Sequence, residues 1–127
     1  MEEEHKNMME ELGNQFKAIM DSSPEGIYLW FDDENKICNK NFADMLGYTM
    51  EEWQEIPDLL NQTVVEEDRE KVAENYQKHI ENLTNPVTFR IKVIKKDGTV
   101  FEVETDMIPI SWGDHAIAYH FIRKIGE

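Results

Sequence analysis

Residues 39–48, Asn-Lys-Asn-Phe-Ala-Asp-Met-Leu-Gly-Tyr, form a short segment with its own helix start and stop signals. Asn39 can cap the orphan amides of a first turn, Phe42, Met45 and Leu46 fall at i, i+3 and i+4 on one face, and Gly47 suits a left-handed stop. A second start follows at once. Thr49 with Glu52 three residues on has the form of a capping box, in which each side chain satisfies an end amide near the other, ahead of Met50 and Trp53. Two capped turns back to back are an uncommon construction, and whatever surrounds them has to accommodate both.

The bulk properties narrow the setting. A chain of 127 residues is one domain, able to bury roughly two thirds of its unfolded surface without a metal or disulfide. Cys38 is the one cysteine, which excludes an internal disulfide and an all-cysteine zinc site. Apolar runs are only a few residues long and residues 1–6 are acidic where a secretory signal would be basic, so a soluble cytoplasmic protein is expected. Thirteen basic against 27 acidic residues give a net charge of −14, which repels phosphate backbones and anionic headgroups alike. Neither nucleic acid nor a membrane surface is expected as a partner.

Along the chain, residues 2–21 read as a helix with Met9, Leu12, Phe16 and Ile19 as its apolar stripe, too short to stand alone and therefore in need of a docking surface. Ser23, Pro24, Glu25 and Gly26 break it. The run Ile27, Tyr28, Leu29, Trp30, Phe31 predicts a strand covered on both faces, turned by residues 32–35 into a short return at 36–38. The longest helix is predicted over 66–83, with acids concentrated in its first turn and Val72, Tyr76, His79, Ile80 and Leu83 as its stripe, ended by Asn85 and Pro86. Residues 87–94 alternate as a half-buried strand, Lys96-Asp97-Gly98-Thr99 turns it, and strands at 100–111 and 116–125 complete an antiparallel meander. Strands separated by grouped helices argue an α+β fold with an antiparallel sheet.

The string from Asp32 to Ile37, the capped segment beginning at Asn39, Glu67-Asp68-Arg69 and Lys96-Asp97-Gly98-Thr99, in this order and spacing, strongly resembles a PAS sensor domain over about residues 12–125. The resemblance implies a five-stranded antiparallel sheet with helices packed on one face and a small interior cavity, preceded by an N-terminal amphipathic helix. It divides the chain into residues 1–20, a cap or dimerisation helix, and residues 21–127, the PAS core. Domains of this kind bind haem, flavins or small metabolites, or bind nothing and act as dimerising relays. Their effectors are histidine kinases, cyclases or transcription regulators, in the same longer chain or in trans, often within two-component systems. The last strand ends Phe121 to Glu127 where such sensors carry an Asp-Ile-Thr-like coupling motif. The position matches, but the aspartate and threonine are missing.

Individual residues decide among these options. The Asn-Cys-Arg-Phe-Leu-Gln stretch of flavin-adduct PAS domains does not occur, and Cys38, on a strand end, reads as a small buried hydrophobe. His79 lies on the long helix, where haem-binding relatives place a ligand, but a lone histidine on an apolar face is usually a hydrogen-bonded core residue. Haem is therefore not expected, and a haem sensor through His79 stands as a remote alternative. His120 is a second candidate if its row of the last strand faces the cavity, and His115 reads as a solvated turn residue. Phosphate loops, zinc-protease helices, Cys-x-x-Cys pairs and nucleophile elbows are all missing, so no catalytic residues are assigned and no enzyme is expected.

The expected function is a signal-transduction sensor binding a small molecule in its core. The pocket residues expected are Ile27, Leu29, Phe42, Leu46, Tyr76, His79, Phe89, Ile91, Val103 and His120, with pairing into a homodimer through Met9, Leu12 and Phe16. The alternative is a ligand-free dimerisation module whose cavity is filled by Tyr28, Trp30, Phe31, Trp53, Tyr76 and Phe89.

Overall fold

The computed structural model describes residues 2–125; Met1 and the final Gly126 and Glu127, part of the expected coupling end, lie outside them. Helix α1 (Glu2–Ser22) leads into the hairpin of β1 (Gly26–Asp32) and β2 (Asn35–Cys38). Helices α2 (Lys40–Leu46), α3 (Met50–Gln54), α4 (Leu59–Thr63) and α5 (Glu66–Asn75) follow, the last continuing as a π-helical turn over Tyr76–Glu81. Strands β3 (Val87–Ile94), β4 (Val100–Trp112) and β5 (His115–Lys124) complete one antiparallel sheet in the order β2-β1-β5-β4-β3. The fold is the expected α+β arrangement, with the first and last strands side by side.

Both cap signals are realised. Asn39 caps α2 by accepting from the Phe42 amide at 2.9 Å, and Gly47 closes the helix at φ +85°. Thr49 and Glu52 exchange their capping-box bonds at 3.0 Å each. Asn39 does more than cap. The same Oδ1 accepts from the Ile27 amide at 3.0 Å, and Nδ2 donates to the Met20 carbonyl at 3.0 Å and the Glu25 carbonyl at 3.1 Å. One buried amide thus joins the end of α1, the start of β1 and the start of α2, with every bonding direction of the side chain used. Beside it, a Cβ on Gly26 would stand 3.1 Å from the Phe42 Cα, so only glycine lets α2 lie this close to β1.

The aromatic run of β1 is covered on both faces because two cores meet it. Ile27 and Leu29 face α1, packing with Met8, Met9, Leu12, Ile117 and Tyr119. Tyr28 and Trp30 face the other helices with Phe42, Leu46, Trp53, Ile91 and Val103. The stripe of α1 departs from expectation at its end: Met20 is buried, whereas Ile19 is 48% exposed. A straight α-helix drifts from a heptad repeat, and after Met9, Leu12 and Phe16 the inward position falls at residue 20. Met9 and Leu12 are buried and the Phe16 ring lies 4.8 Å from Tyr119, so within the chain these side chains pack against its own sheet.

Lys36 is an unexpected interior residue. Its ammonium donates to the carbonyls of Asp33, Gln54 at 3.1 Å and Ile56 at 2.8 Å, and lies over Trp53, anchoring the loop between α3 and α4. Burial lowers its pKa, opposed by Asp33 and Asp32. On the α1 side of the sheet, Arg123 forks onto Glu104 and Asp106 and reaches Glu25 at 3.2 Å, joining β4, β5 and the segment before β1.

The long helix differs from its predicted form. After Asn75 the backbone widens into a π-turn, in which residue i+5 rather than i+4 returns beneath residue i. Glu81 therefore comes round to the side of Tyr76, and His79 is turned away. Leu83, expected in the apolar stripe, is instead 48% exposed and sits at φ +52°. The Thr84 amide bonds the His79 carbonyl and the Leu83 amide bonds the Ile80 carbonyl, both at 3.0 Å, a Schellman closure with leucine where glycine is usual.

Two stability measurements follow from these contacts. Asn39→Ala removes four hydrogen bonds, three of them buried, and should cost about 3 kcal/mol, read as a lower urea midpoint at unchanged slope. Leu83→Gly relieves a left-handed leucine at the expense of unfolded-state entropy, and should stabilise by about 0.5 kcal/mol in the same assay.

Candidate functional site

A cavity of about 420 Å³ lies between the sheet and the helices that follow β2. Its floor is Tyr28 and Trp30 of β1, His120 and Ile122 of β5, Val103, Thr105 and Met107 of β4, and Phe89, Ile91 and Val93 of β3. Its walls come from Phe42 and Leu46 of α2, Leu59, Leu60 and Thr63 of α4, and Val72 and Ala73 of α5, with Tyr76, Gln77 and Glu81 from the π-turn. The pleat explains the floor, since alternate residues of each strand point to one face.

The structure brings together Phe42, Leu46, Tyr76, Phe89, Ile91, Val103 and His120 of the expected pocket residues, and it separates three others. Ile27 and Leu29 belong to the opposite face, under α1. Their neighbours Tyr28 and Trp30 take the cavity side, one residue out of phase with expectation. His79 does not line the cavity: its Nδ1 lies 2.9 Å from the Asn85 carbonyl oxygen and 3.1 Å from the Thr84 hydroxyl, where it fastens the helix end. No other histidine stands at the haem-ligand position on that helix, and the residues present do not fit haem held through it. His115 is half-buried rather than solvated, with ring centroids 5.0 Å from His5 and 5.1 Å from Phe31. Cys38 is buried under α2, and desolvation pushes its thiol up to about 12, as for an inert core cysteine.

At the inner end of the cavity, His120, Tyr28 and Phe42 form a stack. The His120 and Tyr28 rings are 3.9 Å apart and 8° from parallel, and Tyr28 and Phe42 are 4.8 Å apart at 18°. Trp53 closes the stack edge-on against Tyr28 and Phe42. At the outer end Trp30 meets Tyr76 edge-on at 5.1 Å, and the Trp30 Nε1 donates to Asp33 at 3.3 Å. Aromatic walls with few polar groups are the usual make-up of a small-molecule site.

Two polar groups in this lining have no partner among the described residues. Thr105 Oγ1 and His120 Nδ1 are buried and make no hydrogen bond of ordinary geometry. The register places them together: Thr105 pairs with Ile122 and Met107 with His120, so the two are diagonal neighbours on β4 and β5. Each orphaned group costs the fold about 1–3 kcal/mol. Desolvation pushes the His120 pKa down to about 3, partly countered by the Tyr28 backbone, and raises the Tyr28 phenol above its ordinary value. The inner cavity is therefore uncharged at neutral pH.

The polar partners of this lining escaped sequence reading for a simple reason. Thr105 lies in an otherwise apolar row with Val103 and Met107, and that interruption was the available signal. Nothing comparable marks Asp33, Gln77 or Glu81, which reach the cavity through a turn and a widened helix.

A family model described as the PAS fold matches residues 35–123. The chain belongs to the PAS family. Among solved structures, this PAS domain is similar to one from Colwellia psychrerythraea at 24% identity, TM-score 0.71, over 90% of this chain and 97% of that one. A PAS domain of an HTR-like protein from Haloarcula marismortui aligns at 18% identity, TM-score 0.69, over 97% and 99% of the two chains. A domain of a sensory box sensor histidine kinase/response regulator from Geobacter sulfurreducens aligns at 18% identity, TM-score 0.64, over 89% and 94%. No curated protein matches the chain in sequence. Among the described residues, no helix is long and apolar enough to cross a membrane, and no group of His, Cys, Asp and Glu is arranged to hold a metal.

The depressed His120 pKa has a measurable sign. Below pH 6.5 the unfolded chain takes up a proton that the folded chain refuses, so stability falls as pH drops toward 3. His120→Phe should flatten the urea-midpoint profile between pH 6.5 and 4.5 by up to about 1 kcal/mol per pH unit. In the parent protein the His120 ring carbons should show no NMR titration above pH 5.

Proposed function

We propose that this PAS domain is a sensory module of a signal-transduction system, holding a small, mostly apolar molecule non-covalently between its sheet and α5. One observation carries the reading: an aromatic-lined cavity of about 420 Å³ that contains two buried hydrogen-bonding groups without protein partners. A fold tolerates orphaned polar groups at a cost, and a molecule in the cavity that bonds them would offset it. The volume lies within the range of small-molecule sites. The module acts by binding, and no catalytic role is assigned to any residue.

The packing supplies a route for the signal. Alternate residues of β1 touch the cavity and α1, so a molecule pressing on Tyr28 or Trp30 loads the strand on which Met9 and Leu12 rest. A ligand that favours one packing of α1 over another shifts that equilibrium by its difference in affinity. The effector reading, a histidine kinase, cyclase or transcription regulator in the same longer chain or in trans, is supported by the Geobacter sulfurreducens neighbour, a domain of a sensor histidine kinase/response regulator. The ligand-free alternative requires the chain's own aromatics to fill the space. Tyr28, Trp30, Tyr76 and Phe89 line about 420 Å³ without filling it, which favours the ligand.

Native mass spectrometry of freshly purified protein should detect a non-covalent adduct lost on denaturation. Thr105→Val should raise the stability of the ligand-free protein by about 1 kcal/mol, by removing an orphaned hydroxyl, while weakening retention of the adduct. A bare mass for the parent, with no stabilisation in the variant, would contradict the reading.

A further inference from the structure

We infer that the molecule this cavity accepts carries a positive charge at the mouth end, an aliphatic or aromatic ammonium rather than a carboxylate or phosphate. The inference rests on the pocket reading above and adds its charge class. The outer end of the cavity is bounded by Asp33, Trp30, Tyr76, Gln77 and Glu81. These are contiguous: Trp30 donates to Asp33, its ring meets Tyr76 edge-on, and the π-turn brings Glu81 round beneath Tyr76. Two carboxylates and two electron-rich rings surround one opening, the combination that attracts an ammonium through ion pairing and through the ring quadrupoles.

The complementary observation is that, among the described residues, no lysine or arginine lines the cavity. Lys36 is held by three backbone carbonyls under Trp53; one of these is the carbonyl of Asp33, but the lysine itself is not among the lining residues. His120, the basic group of the inner end, is held neutral by burial. An anionic ligand would thus enter past two carboxylates and find no cationic side chain in the lining to compensate its desolvation. The buried, unpartnered Thr105 Oγ1 and His120 Nδ1 lie at the far end and suit one neutral hydrogen-bonding group there. The negative field at the mouth registers on Tyr76, whose phenol is raised by burial and by Glu81 and Asp32. A cationic head, an apolar body and one neutral polar group at the tail match this sequence of surfaces.

The test is an amide NMR titration of the full chain with three probes of one shape: 2-phenylethylammonium, 2-phenylethanol and 3-phenylpropionate, each at millimolar concentration. The ammonium should shift the cavity residues and bind about tenfold tighter than the carboxylate. In Asp33→Asn/Glu81→Gln that ratio should fall to about twofold, with the alcohol as the neutral reference in each protein. The double variant separates the mouth from the general field, because a preference arising from the net charge of −14 would survive the loss of two charges. Equal or tighter binding of the carboxylate, or a ratio that persists in the double variant, overturns the inference while the pocket stands. If none of the probes shifts a cavity residue, the pocket reading fails and the charge class with it.

Discussion

The side chain of Asn39 is the point on which the two layers of this domain depend. Helix α1 lies on one face of the sheet and α2 to α5 on the other, so some group must hold the passage from one face to the next. Asn39 does so with four hydrogen bonds to Met20, Glu25, Ile27 and Phe42, three of them buried and the one to Glu25 partly so. An aspartate would lack the two donors and set a charge against two carbonyls, and a serine would reach only the cap. An amide is the side chain that satisfies both polarities at once. Because Gly26 lets α2 pack closely on β1, the aromatic stack of Phe42, Tyr28 and His120 is a direct consequence of how this junction is built.

From that junction the rest follows through β1. Its residues alternate between a dry core under α1 and a roomier space under α5, and the contrast between the two is informative. Ile27, Leu29, Met9 and Leu12 are close-packed and buried. On the other side the π-turn, the aromatic rings and two orphaned polar groups surround a cavity of about 420 Å³. Strain is concentrated on the same side, in the widened helix and in the left-handed Leu83 that ends it. Departures of this kind from local rules gather at functional sites.

Most of the fold was legible because its signals are local. Caps, turn glycines and the period-two rows of β3 to β5 each report on a few adjacent residues, and each falls where the chain pattern put it. What escaped notice depended on phase or on distant partners. In a strand covered on both faces, nothing in Ile27 to Phe31 says which residues face which layer, so the pattern alone admits Ile27 and Leu29 where the cavity holds Tyr28 and Trp30. In the long helix a straight 3.6-residue period placed His79 inward, and the π-turn, which no residue type encodes plainly, placed Glu81 there instead. The burial of Lys36 rests on carbonyls 18 and 20 residues away, and no windowed pattern could have located them.

The central claim is that the space beneath α5 is a binding site, and the most direct measurement is a high-resolution crystal structure of the protein as purified. The binding reading predicts density for a non-protein molecule within hydrogen-bonding distance of Thr105 Oγ1 or His120 Nδ1, with its opposite end beside Trp30 and Tyr76. It would be contradicted by a closed cavity, with α5 settled onto the sheet, Tyr76 and Phe89 filling the space, and the Thr105 hydroxyl and His120 ring bonded to groups of the chain itself.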